Sequence, residues 1–271
     1  AGNVRPAIGF ITWSLARRPH LLELALESGP PAIMLSFGDV RPFASRIKAA
    51  GPKLICQVQS VVQAQDVAAA GADVVIAQGT EAGGHGASRA TLPLVPAVVD
   101  ALAPLPVVAA GGIADGRGLA AALMLGACGV LMGTRFYASQ ESLVHPAAKQ
   151  RVVEASGDDT LRSSLFDLVR ELDWPAPYDL RTISNPFSER WAGDLEGVRA
   201  RLPDERACYL AAREAGDFDV APVIAGEGID LIRDVPPAAE LVTRIVREAE
   251  DLLAGAAARI VDRAYTDPAK S

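Results

Sequence analysis

A carboxylate and an imidazole lie four residues apart in the stretch Gln78-Gly-Thr-Glu81-Ala-Gly-Gly-His85-Gly86. Histidine takes up and releases protons near neutral pH, so such a residue can act as a general base or orient an anion. The glycines at 79, 83, 84 and 86 let the main chain approach a flat or phosphorylated ligand closely. This setting favours chemistry by His85 over a plain loop-capping role. Glu81 reads instead as a brace that accepts backbone N–H bonds.

A second constellation joins Val107-Val-Ala-Ala-Gly111-Gly112-Ile-Ala-Asp115-Gly116 to Val130-Leu-Met132-Gly133-Thr134-Arg135. Consecutive Gly amides at one strand end, beside a Gly-Thr at the next, suit a phosphate group. The plain alternative is that the glycines only make tight turns. Gly116-Arg-Gly118-Leu-Ala-Ala121 fits a GxGxxA dinucleotide fingerprint, but it does not leave a strand directly and no acid follows about 20 residues on. It is rejected as such a site. No Walker A lysine motif, HExxH or zinc spacing occurs, so no metal is expected. Ser36, ahead of Phe37-Gly38, is a lesser candidate for the ligand side. His20, His145 and Asp158-Asp159 read as capping or surface groups, and Trp174, Tyr178 and Trp191 as core.

These loops need strands beneath them. Apolar β-branched runs stand at Ala7–Ile11, Ala32–Ser36, Lys53–Val58, Asp73–Gln78, Pro106–Ala110 and Gly129–Met132, alternating with helical stretches and Gly-containing turns. That alternation predicts an α/β fold built on a parallel sheet, a (β/α)8 TIM-type barrel. Six strands are two short of eight, and the chain starts almost on a strand, so the expectation is strands 3–8 without the first two βα units. The partial barrel is placed at 1–136. Residues 137–235, richer in Pro, Trp, Arg and Asp, read as a helical cap subdomain with helices at Thr160–Leu172 and Asp204–Ala215. Pro236-Pro237 opens a C-terminal helix (236–271) expected to return to the barrel through Leu241, Ile245, Leu252 and Leu253.

The net charge of −7 argues against nucleic acid or an anionic membrane as partner. The longest uncharged run, from Gly118 to Thr134, is broken by glycines and reads as helix, turn and strand rather than a membrane span. Cys56, Cys128 and Cys208 are too scattered for a disulfide framework, and Cys56 and Cys128 read as buried thiols. With no signal-peptide pattern, a cytoplasmic protein is expected. A homodimer is compatible with this reading.

Taken together, Gln78-Gly-Thr-Glu-Ala-Gly-Gly-His85, Ala109-Ala-Gly-Gly-Ile-Ala-Asp-Gly116 and Met132-Gly-Thr-Arg-Phe136 resemble the nitronate monooxygenase family, also called 2-nitropropane dioxygenases. The likeness extends to Asn185-Pro-Phe-Ser-Glu-Arg-Trp191, Gly216-Asp-Phe-Asp-Val220 and Pro236-Pro-Ala-Ala-Glu240. It implies an FMN-bound barrel oxidising nitronates or nitroalkanes with oxygen to a carbonyl compound and nitrite. It implies His85 as the catalytic residue and Gln57, Gln78, Gly83, Gly111, Gly112, Met132, Gly133 and Thr134 as FMN contacts. Ser36 and Gly84 would stand on the substrate side. The family's Ala-Pro-Met-type segment and its third-strand Asn are not found here; the matching stretch is Ala7-Ile-Gly-Phe10. Two alternatives share these motifs: an FMN-dependent enoyl-acyl-carrier-protein reductase using NADH, and a non-catalytic, truncated flavoprotein fragment.

Overall fold

A computed structural model describes residues 5–264, with side chains described through residue 256. Six strands form one parallel sheet: β1 (Ile8–Ile11), β2 (Ala32–Ser36), β3 (Lys53–Val58), β4 (Val74–Gln78), β6 (Val107–Ala110) and β7 (Gly129–Leu131). Their order is β1-β2-β3-β4-β6-β7, so each strand of the sheet lies beside its predecessor. The strands are short apolar runs because both faces of a parallel sheet are covered. Ile33, Leu35, Leu54, Cys56, Val75 and Ala77 are fully buried beneath the covering helices. Burial of each large aliphatic side chain contributes roughly 1.5–3 kcal/mol.

Helices α1 (Thr12–Arg17) and α2 (His20–Glu27) follow β1, α3 (Arg41–Ala50) follows β2, and α4 (Val61–Ala69) follows β3. Between β4 and β6 the chain makes the short strand β5 (Gly84–Gly86) and then α5 (Thr91–Leu102). Helix α6 (Gly116–Met124) precedes β7. Local chemistry sets these boundaries. Ser60 caps α4 by accepting from the Gln63 amide, and Asp115 caps α6 by accepting from the Arg117 and Gly118 amides. Gly51 ends α3 in the left-handed region.

After β7 come α7 (Thr134–Tyr137), α8 (Pro146–Glu154), β8 (Thr160–Ser163), α9 (Leu165–Val169) and β9 (Asp179–Ile183). Then follow α10 (Pro186–Trp191), α11 (Leu195–Ala200), α12 (Leu202–Ala215) and α13 (Ala238–Ala264). The helix expected over Thr160–Leu172 is instead a strand and a five-residue helix. Pairing explains the difference. β8 and β9 are antiparallel, and β9 pairs on its other side with β5, making a three-stranded sheet ordered β5-β9-β8. Residues 84–86 and the 160–183 segment therefore share one sheet.

Cys128, read as buried, is exposed in the turn before β7, whereas Cys56 is buried in the sheet. Helix α13 buries Leu241, Ile245 and Ala249 against α6. Gly116 makes that approach feasible: a Cβ there would lie 2.5 Å from Glu248 Cβ and 2.7 Å from the Ala249 amide nitrogen. The Gly116 amide also donates to Glu248 Oε2 at 2.9 Å. The rejected GxGxxA stretch thus serves helix packing. Among the described residues, no helix is long and apolar enough to cross a membrane.

Candidate active site

The C-terminal ends of the parallel strands open into a cavity of about 660 Å³. It is within the size range of sites that hold cofactors and drug-sized ligands. Gln57 and Gln78 reach it from β3 and β4, Ser36 from β2, and Gly111 and Gly112 from the end of β6. Gly83, His85, Gly133 and Thr134 also line it. Met132 and Gly84 do not; Met132 follows β7 half-buried, and Gly84 sits in β5 with a positive φ of 80°. Phe10, Met34, Ile113, Phe136, Tyr137 and Ile224 supply apolar wall. Among the described residues, the lining contains no acid and no lysine or arginine.

His85 is fixed from several directions. As a residue of β5 it pairs with Leu180 of β9. Its carbonyl accepts from Gln78 Nε2 at 3.1 Å, and Gln78 Oε1 accepts from Gln59 Nε2 at 2.8 Å. Its Nε2 lies 3.0 and 2.9 Å from the two carboxylate oxygens of Asp167, on α9. The side chains of this pair are 10% and 4% exposed. Trp174 stacks on the imidazole with ring centroids 3.3 Å apart and planes 9° from parallel. Phe37 meets the same group edge-on, 5.2 Å from Trp174 and 5.0 Å from Tyr178. Phe37 has a φ of 61°, a conformation that costs a non-glycine residue about 1–3 kcal/mol and persists only where its surroundings impose it.

The loop carrying His85 is held from behind by two arginines of the β8–β9 hairpin. Arg162 donates to the carbonyls of Asp179 (2.5 Å), Thr80 (2.7 Å), Ala82 (2.9 Å) and Gly84 (3.3 Å). Arg181 donates to Thr80 O at 3.1 Å and to Thr160 Oγ1 at 3.0 Å, and pairs with Glu227 at 2.7 Å. Burial, then the neighbouring Arg181 charge, push the Arg162 guanidinium down to about 10, so it stays cationic at neutral pH. Glu81 accepts from the Thr91 amide (3.0 and 2.9 Å) and hydroxyl (2.7 Å) at the start of α5, the bracing role read from the sequence.

A close backbone crossing explains one of the loop glycines, Gly83. A Cβ on Gly83 would lie 2.5 Å from the Ala225 carbonyl carbon and 2.6 Å from the Gly226 nitrogen. Gly111 and Gly112 have φ of 108° and 70°, turning the chain sharply at the cavity floor. Gly133 has open space where a side chain would stand. The amides of Gly112, Gly133 and Thr134 make no hydrogen bond to the described residues, while the Thr134 hydroxyl accepts from the Gly226 amide at 3.0 Å. These free donors and bare walls suit the phosphate and ring of a flavin mononucleotide. Arg135 points elsewhere: its side chain is 2% exposed and bonds Asp234 at 2.9 Å and Ala138 O at 2.9 Å.

Three participants were not found from the sequence. Asp167 had a visible signal, a single acid inside the apolar run Leu165-Phe-Asp-Leu-Val169. Trp174 reads as core from the sequence but stacks on His85, and nothing local marks Arg162 as a loop clamp. His145 caps α8, as its position suggested, and Trp191 lies in the core of the 160–220 region. Ser156 and Asp159 form a capping box on a short 3-10 turn. Among the described residues no cluster of three or more His, Cys, Asp or Glu side chains could hold a metal ion.

The model of a family described as nitronate monooxygenase matches residues 15–248. Nitronate monooxygenase npaC of Metarhizium robertsii is 35% identical over an alignment covering 93% of this chain and 75% of that protein. A (3aS,4S,5R,7aS)-5-hydroxy-7a-methyl-1-oxo-octahydro-1H-indene-4-carboxyl-CoA dehydrogenase of Mycobacterium tuberculosis is 43% identical over 54% of this chain and 42% of its own length. Among solved structures, FabK from Thermotoga maritima superposes with a TM-score of 0.78 at 32% identity, covering 94% of this chain and 79% of that one. The chain spans between 42% and 66% of the length of several other curated relatives.

Proposed function

The chain belongs to the nitronate monooxygenase family, and on that premise we propose that it is an FMN-dependent oxidoreductase. Its substrates are alkyl nitronates, or nitroalkanes that it first deprotonates, which react with oxygen to give a carbonyl compound and nitrite. The observation that carries this reading is the placement of His85 on a cavity whose lining, among the described residues, has no acid, lysine or arginine. His85 is then the base available to a bound nitroalkane, and its protonated ring is the positive charge available to the nitronate that results.

The free amides of Gly112, Gly133 and Thr134, with Gly111 and Gly83 around them, would hold the FMN phosphate end. Gln57 and Gln78 would offer amide contacts to the ring, Met132 would stand behind Gly133, and Ser36 and Gly84 would flank the substrate. FMN, when bound, supplies electron acceptance and reaction with oxygen. The chain's own part is to bind, to orient through the apolar wall, and to move a proton at His85. The same reading takes the six-stranded sheet as an arc of a (β/α)8 barrel with its site at the strand C-termini. Sequential strand order supports this, because a doubly wound sheet would show a reversal.

A second reading is reduction or dehydrogenation of a thioester-linked substrate, as in an enoyl-acyl-carrier-protein reductase using NADH. The 43% identity over about half the chain to the indene-carboxyl-CoA dehydrogenase named above, whose substrate is a CoA thioester, favours it. Anaerobic titration of the FMN-loaded protein separates the two. Bleaching of the flavin absorbance by an alkyl nitronate but not by NADH is expected, and the reverse pattern would sink the nitronate reading. Failure to retain any flavin after reconstitution would point to a non-catalytic protein. In H85N, turnover of neutral nitroalkane should fall by roughly 10²–10⁴ with flavin retained.

A further inference from the structure

We propose that Asp167 is the positioning residue of His85: its carboxylate fixes the imidazole with the proton on Nε2, so that Nδ1 is the atom that takes the substrate proton. The inference rests on the nitronate reading above for the identity of that substrate.

The argument begins with what the carboxylate needs. The Asp167 side chain is 4% exposed, and an ionised carboxylate can only accept hydrogen bonds. Among the described residues the one side-chain or backbone group within bonding distance of its oxygens is His85 Nε2, at 3.0 and 2.9 Å. A buried acceptor with a single partner obliges that partner to donate, since an unsatisfied buried charge is strongly unfavourable. Nε2 therefore carries hydrogen, and in the neutral ring Nδ1 is left with its lone pair. Nδ1 has no hydrogen-bond partner among the described residues, and His85 borders the cavity.

The surroundings hold this arrangement. Turning the ring over would carry Nε2 away from Asp167, breaking the carboxylate's hydrogen bond. Trp174, stacked at 3.3 Å, sets the ring plane, and Gln78 pins the backbone beneath it. Asp167 is anchored in turn: its neighbours Leu165, Phe166 and Val169 are buried with Leu180 and Phe187. In the reaction the substrate C–H bond breaks and an Nδ1–H bond forms. The electron pair remains on the carbon–nitro group as the nitronate, and nothing is oxidised or reduced in this step. The imidazolium so formed keeps its Nε2–H on the Asp167 carboxylate, an ion pair that stabilises it as a carboxylate does behind other catalytic histidines.

The test uses the full chain, FMN-loaded for kinetics, and two variants, D167A and the near-isosteric D167N. In D167A, kcat/KM for a neutral nitroalkane should fall by about 100-fold or more, while kcat/KM for the preformed nitronate, which bypasses the proton transfer, should fall by less than about threefold. Nitrogen-15 NMR of histidine-labelled protein should show His85 protonated at Nε2 and bare at Nδ1 in the wild type. The two tautomers should mix in D167A and stay in the wild-type state in D167N, which keeps an acceptor oxygen. If D167A does not fold, the nitroalkane-to-nitronate ratio in D167N carries the kinetic test, with a decrease expected from loss of the negative charge. Equal losses for both substrates, or an Nδ1–H tautomer in the wild type, would overturn the proposal. If the wild type oxidises neither substrate, the functional reading fails on its own, and the tautomer still decides the pairing.

Discussion

Replacing Arg162 with methionine tests whether the loop carrying His85 is held by the hairpin behind it. Methionine keeps much of the side chain's length and removes the charge and all donors. Three of the four carbonyls it serves lie between 2.5 and 2.9 Å and the fourth at 3.3 Å. Hydrogen bonds to charged groups contribute about 1.5–3 kcal/mol each, so the three short ones sum to roughly 4.5–9 kcal/mol. Burial of the guanidinium, whose Nε has no partner among the described residues, offsets several kcal/mol of this. The expected net loss is about 2–4 kcal/mol, or a fall in Tm of roughly 4–15 °C for a chain of this size. Thermal unfolding by circular dichroism measures it, and amide hydrogen exchange should quicken at residues 79–86 before the rest of the β4–β6 region. R162K, which keeps the charge but cannot fork across several carbonyls, should fall between. A Tm within about 2 °C of wild type, with unchanged exchange in the loop, would refute the clamp.

Three further outcomes follow from packing and burial. Gly116→Ala should destabilise the chain by about 1–3 kcal/mol, because its Cβ would press on Glu248 and Ala249 of α13; chemical denaturation should show this with flavin absorbance unchanged. Cys128 and Cys208 should react promptly with a thiol reagent in the native protein, whereas Cys56 should react only on unfolding. Burial pushes the Cys56 thiol from 9.0 up to about 12. Above pH 9 the unfolded chain loses this proton and the folded one retains it, so the group's contribution to stability is full below pH 9 and declines towards pH 12. A C56A variant, compared across that window, should lose the part of the decline that Cys56 causes.

The strands were legible because covering both faces of a parallel sheet demands unbroken apolar runs, and Ala32–Ser36 or Lys53–Val58 have little else to become. The His85 loop was legible for a similar reason: four glycines around one histidine at a strand end leave few structural explanations. What the sequence hid was pairing at a distance. Thr160-Leu-Arg-Ser163 has no strong local preference, and its partner in β9 lies about twenty residues on, so a helix was the natural expectation. Asp167 shows the same limit more sharply. Its isolation among apolar residues marked it as unusual, but only folding brings it to an imidazole 82 positions earlier.

The β5–β9 pairing also carries a consequence for synthesis. The six described strands of the parallel sheet are encoded by residue 131, whereas Arg162, Asp167, Trp174 and the β9 partner of His85 all lie between 162 and 183. A ribosome adding about 5–20 residues per second needs roughly 3–10 s to go from residue 131 to residue 183. During that time the nascent chain holds the histidine and the glycine floor without the groups that orient them. Orientation of the His85 imidazole by Asp167 and Trp174 therefore waits for residues well beyond β7, and removing residues 160–183 would take away these partners of His85 while leaving every described strand of the parallel sheet in the sequence.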